Sequence, residues 1–347
     1  MTTAPGRAGA HRLVAESPRF ALAKLRVGGA AWDWRPDHEE EHVKAVRFDH
    51  YGGPEVLEVR EVERPVPAPG EVLVGVKAAA INPGEIAIRE GLLESRWPTT
   101  FPCGEGSDLA GVVVELGSGV SGFADGDAVL GWTSSRASHA EFVAVPADQI
   151  TAKPEQISWD VAGSLFVAPL AAYASVNAVA PQAGEVVVVS GAAGGVGSIA
   201  VQLAVRTGAT VIGLASERNH DWLRSRGVVP VVYGEGQAER IRAAAGGRLD
   251  AFVDTFGGGY VDLAIELGIP VERINTIIDY AAVERLGVRG EGTHTVDRIE
   301  VVREIVEMVA DGSVEVPIAA TFPLSDVREA YRELAQRKTH GKIVLLP

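Results

Sequence analysis

Short apolar runs bounded by glycine turns fill the middle of the chain, and stretches with helical spacing lie between them. Residues 186–189, 210–214, 228–232, 251–254 and 274–278 are rich in β-branched and apolar side chains and read as strands. Residues 199–207 carry apolar positions at helical spacing. Strands alternating with helices from about residue 159 predict a parallel, doubly wound α/β sheet. Residues 43 to about 150 have a different texture. Short strands at 71–80, 111–116 and 127–131, separated by Pro- and Gly-rich loops at 65–70 and 117–119, predict a compact β-barrel-like domain. The chain ends on helix and strand again, at 297–310, 324–337 and 342–346.

Between the strand at 186–189 and the helix that follows stands Gly191-Ala192-Ala193-Gly194-Gly195-Val196-Gly197. In a strand-turn-helix crossover such a turn brings backbone N–H groups against a pyrophosphate, at the positive end of the helix dipole. Ala192, Ala193, Gly194, Gly195 and Val196 are therefore candidate dinucleotide contacts. A glycine turn that merely packs helix on sheet is the plainer alternative, and the flanking βαβ pattern argues against it. The tip of the second strand reads Ala215-Ser216-Glu217-Arg218-Asn219. A hydroxyl and a forked guanidinium suit a 2′-phosphate, so Ser216 and Arg218 point to NADPH. Glu217 dissents, since a carboxylate at this tip suits an unphosphorylated ribose. Arg218 also reads as a solvated surface charge.

A length of 347 residues exceeds what one core usually serves, which favours two domains. The net charge of −14 disfavours nucleic acid and anionic membrane surfaces as partners. No apolar run is long enough for a transmembrane helix. A single cysteine, Cys103, excludes an internal disulfide and a thiolate zinc cluster, and fits a reducing cytoplasm. Residues 1–26 are basic without an uninterrupted apolar segment, and an alternating strand pattern starts only at Val43. Residues 1–42 are thus expected to be a disordered leader, which a start codon chosen upstream of a true start at Val43 would produce, and whose deletion leaves activity and melting temperature unchanged.

Ordered motifs run through residues 43–347: Tyr51-Gly52-Gly53-Pro54-Glu55-Val56-Leu57, Asn82-Pro83-Gly84-Glu85 through Arg89-Glu90-Gly91, Gly106-Ser107-Asp108-Leu109-Ala110-Gly111, Gly126-Asp127-Ala128-Val129, the glycine turn, and His340-Gly341-Lys342-Ile343-Val344-Leu345. With them the chain resembles the zinc-independent quinone oxidoreductase branch of the medium-chain dehydrogenases/reductases. The resemblance implies a GroES-like catalytic β-barrel domain at 43–164, completed by 292–347, around a Rossmann NADPH-binding domain at 165–291. It also implies a homodimer. Zinc-dependent relatives take metal ligands from a Cys and a Gly-His-Glu motif. Here Asn82 and Gly106-Ser107-Asp108 stand in those places, so no metal is expected and hydrogen bonds must polarise the substrate carbonyl.

The resemblance further assigns site residues. Asn82 is expected to orient the nicotinamide ribose or a substrate oxygen, although Asn-Pro also favours a turn. Glu85 reads either as support for the site or as a solvated carboxylate paired with Arg89 at i+4. Thr255 and Phe256, after a strand closed by Asp254, resemble the segment beside the nicotinamide half. Ile278, Asp279 and Tyr280 point toward the nicotinamide if their strand runs to 278. Lys342 reads as a cleft residue or an ordinary surface lysine, and Trp97 and Trp132 as flat walls for a planar substrate or as core. The tyrosine many relatives carry after the Arg-x-Gly element is missing, and Ala171 replaces a threonine under the nicotinamide. The expected activity is NADPH-dependent, metal-free hydride transfer to a quinone or another α,β-unsaturated carbonyl, with the proton drawn from water. Two alternatives stand beside it. One is an enoyl-thioester reductase, for which no basic rim is evident, and the other is a catalytically decayed NADPH-binding protein.

Overall fold

The computed structural model describes residues 41–296 and 298–347. The leader expected over residues 1–42 lies outside the described residues except for its last two, and β1 (His42–Phe48) begins within them. The strands form three sheets. In the smallest, β1 lies between β2 (Glu58–Glu63) and β4 (Cys103–Gly104).

A seven-stranded sheet is built around β3 (Glu71–Ala80), which pairs antiparallel with β5 (Asp108–Leu116) and with β7 (Phe142–Pro146). β6 (Ala128–Trp132) and β8 (Ile150–Ala152) continue it beyond β5. Its other side comes from the far end of the chain. β15 (Lys342–Leu346) sets Val344 opposite Ala80 on β3, and β14 (Ile318–Pro323) lies parallel to β15. This pairing delivers Lys342 to the point where β3 ends.

The third sheet is parallel throughout, in the order β11 (Val229–Val232), β10 (Thr210–Ala215), β9 (Val186–Val189), β12 (Ala251–Asp254), β13 (Ile274–Thr276). That order reverses at β9 and is the doubly wound arrangement expected from the alternation. β9 is four consecutive valines, three of them buried, as a strand covered on both faces requires. Helices α3 (Val167–Val179), α4 (Gly197–Arg206), α5 (His220–Ser225), α6 (Gln237–Ala245), α7 (Tyr260–Glu266) and α8 (Tyr280–Leu286) accompany it. β13 stops at Thr276, two residues short of the expected end, because Ile277 to Asp279 turn into α8. Beyond it, among the described residues, the sheet carries only a parallel bridge between Asn275 and Arg289.

One apolar core spans the two larger sheets. Leu130 and Trp132 of β6 pack in the same cluster as α3, α4, β9 and α9 (Arg298–Ala310). Trp132 therefore serves as core, its ring stacked on Phe166 with centroids 4.6 Å apart. Two short helices, α1 (Pro83–Arg89) and α2 (Trp159–Ala162), follow β3 and precede α3, and α10 (Val327–Ala335), which connects β14 to β15, packs against both strands.

Candidate active site

In open parallel sheets, ligands bind outside the carboxyl ends of the strands where the order reverses. Here that point is the end of β9. Ser190 donates through Oγ to Asp254 Oδ1 at 2.6 Å, and Thr255 donates through Oγ1 to Ser190 O at 2.7 Å. Asp254 also accepts the N–H groups of Phe256 and Gly257 on Oδ1 and the Thr276 hydroxyl on Oδ2. The buried aspartate thus ties the ends of β9, β12 and β13 together, which makes it a strand-exit cap.

The glycine turn sits on this platform. Gly191 has φ of +58°, which favours glycine, and a β-carbon there would lie 3.0 Å from Thr255 Oγ1. At Gly197 a β-carbon would lie 2.1 Å from Gly191 O, so the helix could not start so close to the turn with any other residue. Ala192 and Ala193 are buried. Their backbone is already engaged, with Ala192 N–H donating to Leu214 O and Ala193 O accepting from Gly341 N–H. Gly194, Gly195 and Val196 remain partly accessible. At the start of α4 the N–H groups of Ser198, Ile199 and Ala200 donate to Gly194 O and Val196 O, and Gly194 N–H donates to Gly191 O.

At the tip of β10, Ser216 opens a short turn over Glu217–Asn219, and its hydroxyl accepts from Asn219 Nδ2 at 3.2 Å. Arg218 reaches across a cleft of about 580 Å³ and donates to Lys338 O. Lys338, Thr339 and His340, from the loop between α10 and β15, line the opposite wall, while Glu217 is not part of the lining. Of these three, only His340 falls within the sequence motif that continues into Gly341-Lys342. Their place depends on β15 joining β3, which no local pattern reveals.

The other end of the sheet edge lies at β12 and β13. Arg337 donates to Phe256 O and holds its guanidinium 3.8 Å from the centre of the Phe256 ring. Asp279 caps α8 by accepting from Ala282 N–H at 2.9 Å. The Tyr280 ring lies under the guanidinium of Arg96, 4.7 Å away, and Ile278 is 40% exposed.

A buried polar cluster fills the space where β3, α1, β5, α10 and β15 converge. Asn82, between β3 and α1, donates its backbone N–H to Glu85 Oε2 at 2.8 Å, a capping box that also explains the turn signal of Asn-Pro. Its side-chain amide donates to Glu85 and Asp108, and its carbonyl oxygen accepts from Lys342 Nζ. Lys342 also donates to Ile81 O at 3.0 Å and is only 4% exposed, so it is no surface lysine. Asp108 Oδ1 accepts the N–H groups of Phe166 and Val167 at the start of α3.

Of the two readings of Glu85, the solvated pair with Arg89 is not formed. Glu85 is buried and accepts the Tyr331 hydroxyl at 2.7 Å, whereas Arg89, fully buried, pairs with Glu105 at 2.8 Å and stacks on the Tyr331 ring. Both side chains turn inward because α10 covers the face that an isolated α1 would leave to solvent. Burial raises the pKa of Glu85 and Asp108, and pushes Glu105 up to about 8 against the pull of Arg89. Burial likewise lowers Lys342, opposed by Asp108 and Glu85, and brings His139 down to about 4.

Comparison with known proteins places this geometry. The family model described as Alcohol dehydrogenase GroES-like domain matches residues 68–155, and the one described as Zinc-binding dehydrogenase matches residues 227–345. The chain is 29% identical to Quinone oxidoreductase 1 of Escherichia coli over 87% of its own length and 99% of that protein. A probable oxidoreductase from Mycobacterium abscessus is 31% identical, with a TM-score of 0.75 over 88% of this chain and 99% of that one. The E. coli quinone oxidoreductase solved in complex with NADPH superimposes with a TM-score of 0.76 at 26% identity, over 88% of this chain and all of that one. The chain belongs to the quinone oxidoreductase branch of the medium-chain dehydrogenase/reductase family.

Zinc does not fit this member of the family. Asn82 has spent its amide on Asp108, Glu85 and Lys342, and Asp108 has spent its oxygens on Asn82, Phe166 and Val167. The Lys342 ammonium already supplies the local positive charge. Among the described residues no group of three or more His, Cys, Asp or Glu is placed to hold a metal ion.

Proposed function

We propose that this protein is an NADPH-dependent oxidoreductase that reduces a quinone or another α,β-unsaturated carbonyl without a metal. The observation that carries this reading is the line of features along one sheet edge. The cleft lined by Arg218, Lys338 and His340, with Glu333 also in its wall, lies at β10, the glycine turn at β9, and the Thr255–Phe256 segment and Tyr280 beyond β12 and β13. An extended dinucleotide laid across that edge puts its adenosine at β10 and its nicotinamide at β12 and β13. Ser216 and Arg218 take the 2′-phosphate, joined by Lys338 from the opposite wall, and Gly194, Gly195 and Val196, the accessible part of the turn, take the pyrophosphate, while the buried Ala192 and Ala193 shape the turn beneath it. Thr255, Phe256, Ile278, Asp279 and Tyr280 line the nicotinamide end.

When bound, reduced nicotinamide supplies the hydride, and the reduced carbonyl oxygen takes its proton from water. Asn82 and Glu85 act as positioning residues, since their polar atoms are held by protein partners. Lys342 connects them to the cofactor side, because its stem lies against Gly195, where a β-carbon would be 3.1 Å from its Cδ. Residues 43–164 with 292–347 are the catalytic unit in this reading, and 165–291 the cofactor unit. The protein acts as a homodimer in the cytoplasm. No described helix is long and apolar enough to cross a membrane.

Titration of the full chain with NADPH and with NADH, followed by nicotinamide fluorescence, tests the cofactor assignment. Arg218→Ala should weaken NADPH about tenfold, about 1.4 kcal/mol, and leave NADH unchanged. An equal effect on both would remove the 2′-phosphate from Arg218.

A further inference from the structure

Arg96, in the loop that follows α1, crosses to the far end of the parallel sheet. There the guanidinium lies 4.7 Å from the centre of the Tyr280 ring and 5.0 Å from that of Trp97, and its Nη2 is 3.4 Å from His294 Nε2. Two aromatic faces hold the planar cation in place while its edge stays in water. Arg298, which opens α9, is near enough to join Arg96 in lowering the pKa of His294, after burial as the first cause. The acidic neighbour Glu291 accepts from Arg289 through Oε1 at 3.3 Å, and its Oε2 is buried without a partner. A chain of net charge −14 thus gathers cationic side chains beside the nicotinamide end of the cleft. A local positive field of this kind concentrates anions against the general charge of the protein.

Resting on the cofactor orientation proposed above, we infer that Arg96, with His294 and Arg298, forms an anion-recognition site for the substrate. The protein therefore prefers unsaturated carbonyl compounds that carry a carboxylate, sulfonate or phosphate group. The apolar faces of Trp97 and Tyr280 flank the planar part, and the Arg96 fork meets the anion. Residues 96 and 294, 198 positions apart, meet only in the fold, which is why the sequence did not show this site.

Two non-reducible probes of one shape test this without relying on turnover: naphthalene sulfonate and its neutral sulfonamide, titrated calorimetrically against the full chain with NADP⁺ present. The sulfonate should bind more tightly than the sulfonamide, and the difference should shrink as salt is raised. In Arg96→Gln the ratio of the two affinities should fall about tenfold, and in Arg96→Lys by less, because charge remains while the stacked fork is lost. Arg96 is exposed, so both variants should fold, which circular dichroism checks. Equal affinities in the parent protein, or a ratio unmoved by Arg96→Gln, overturns the inference. A protein that shows the charge preference but never consumes NADPH would instead refute the proposed reaction and leave the anion site standing.

Discussion

At the scale of single residues, the glycine turn is where sequence and structure agree most closely. Gly191 and Gly197 are demanded by one backbone angle and one 2.1 Å approach, and such demands leave a mark in the sequence itself. Gly197→Ala should cost about 1–3 kcal/mol from overpacking against Gly191 O. It should also weaken NADPH, since the helix start would move away from the turn. Chemical denaturation and nicotinamide fluorescence measure the two effects, and an unchanged midpoint would show that the turn can yield. Lys342 and Glu85 were ambiguous because burial of a charged side chain depends on partners distant in the chain. Asn82 and Tyr331 are the partners here, and neither can be paired with its target from local pattern alone.

At the scale of elements, strand positions were largely legible, for β3 and β9 to the residue, because β-branched runs bounded by Pro or Gly leave few alternatives. The end of β13 was not, since Asp279 pulls the chain into α8 through its side-chain cap. The covering of α1 by α10 was not legible either, and it creates the cluster of Arg89, Glu105, Glu85, Tyr331 and His139. This cluster makes stability depend on pH in two opposing ways. Glu105, ordinarily near 4.5, titrates at about 8 when folded, so the folded state binds its proton more tightly. Its contribution is complete below about pH 4.5 and is lost as pH rises toward 8. His139, ordinarily 6.5, is held down at about 4, so its contribution is present above pH 6.5 and is lost as pH falls toward 4. The two offset each other between about pH 4.5 and 6.5, and stability should decline on either side. Glu105→Gln, which mimics the protonated form, should flatten the alkaline decline in melting temperature. An alkaline limb identical to that of the parent protein would show that Glu105 carries no proton in the fold.

At the scale of the whole molecule, the two larger sheets share one core through Trp132, Phe166, α3 and α9, and the cofactor edge faces the segment after α10. The alternation of strands and helices made the parallel sheet readable. The return of β14 and β15 to the seven-stranded sheet depends on a pairing with β3 across more than half of the chain, and it came only with the family resemblance. That return supplies Lys338, His340 and Lys342, so the site is a property of the assembled chain. The most direct test is quinone-dependent consumption of NADPH by the full protein, followed by nicotinamide absorbance, with NADPH deuterated at the transferred position and with a Gly194→Asp variant. The account predicts consumption in proportion to quinone, slowed by deuterium, and suppressed when the aspartate carboxylate stands against the pyrophosphate. NADPH left intact in the presence of a range of quinones and enones, or consumption indifferent to Gly194→Asp, would contradict it.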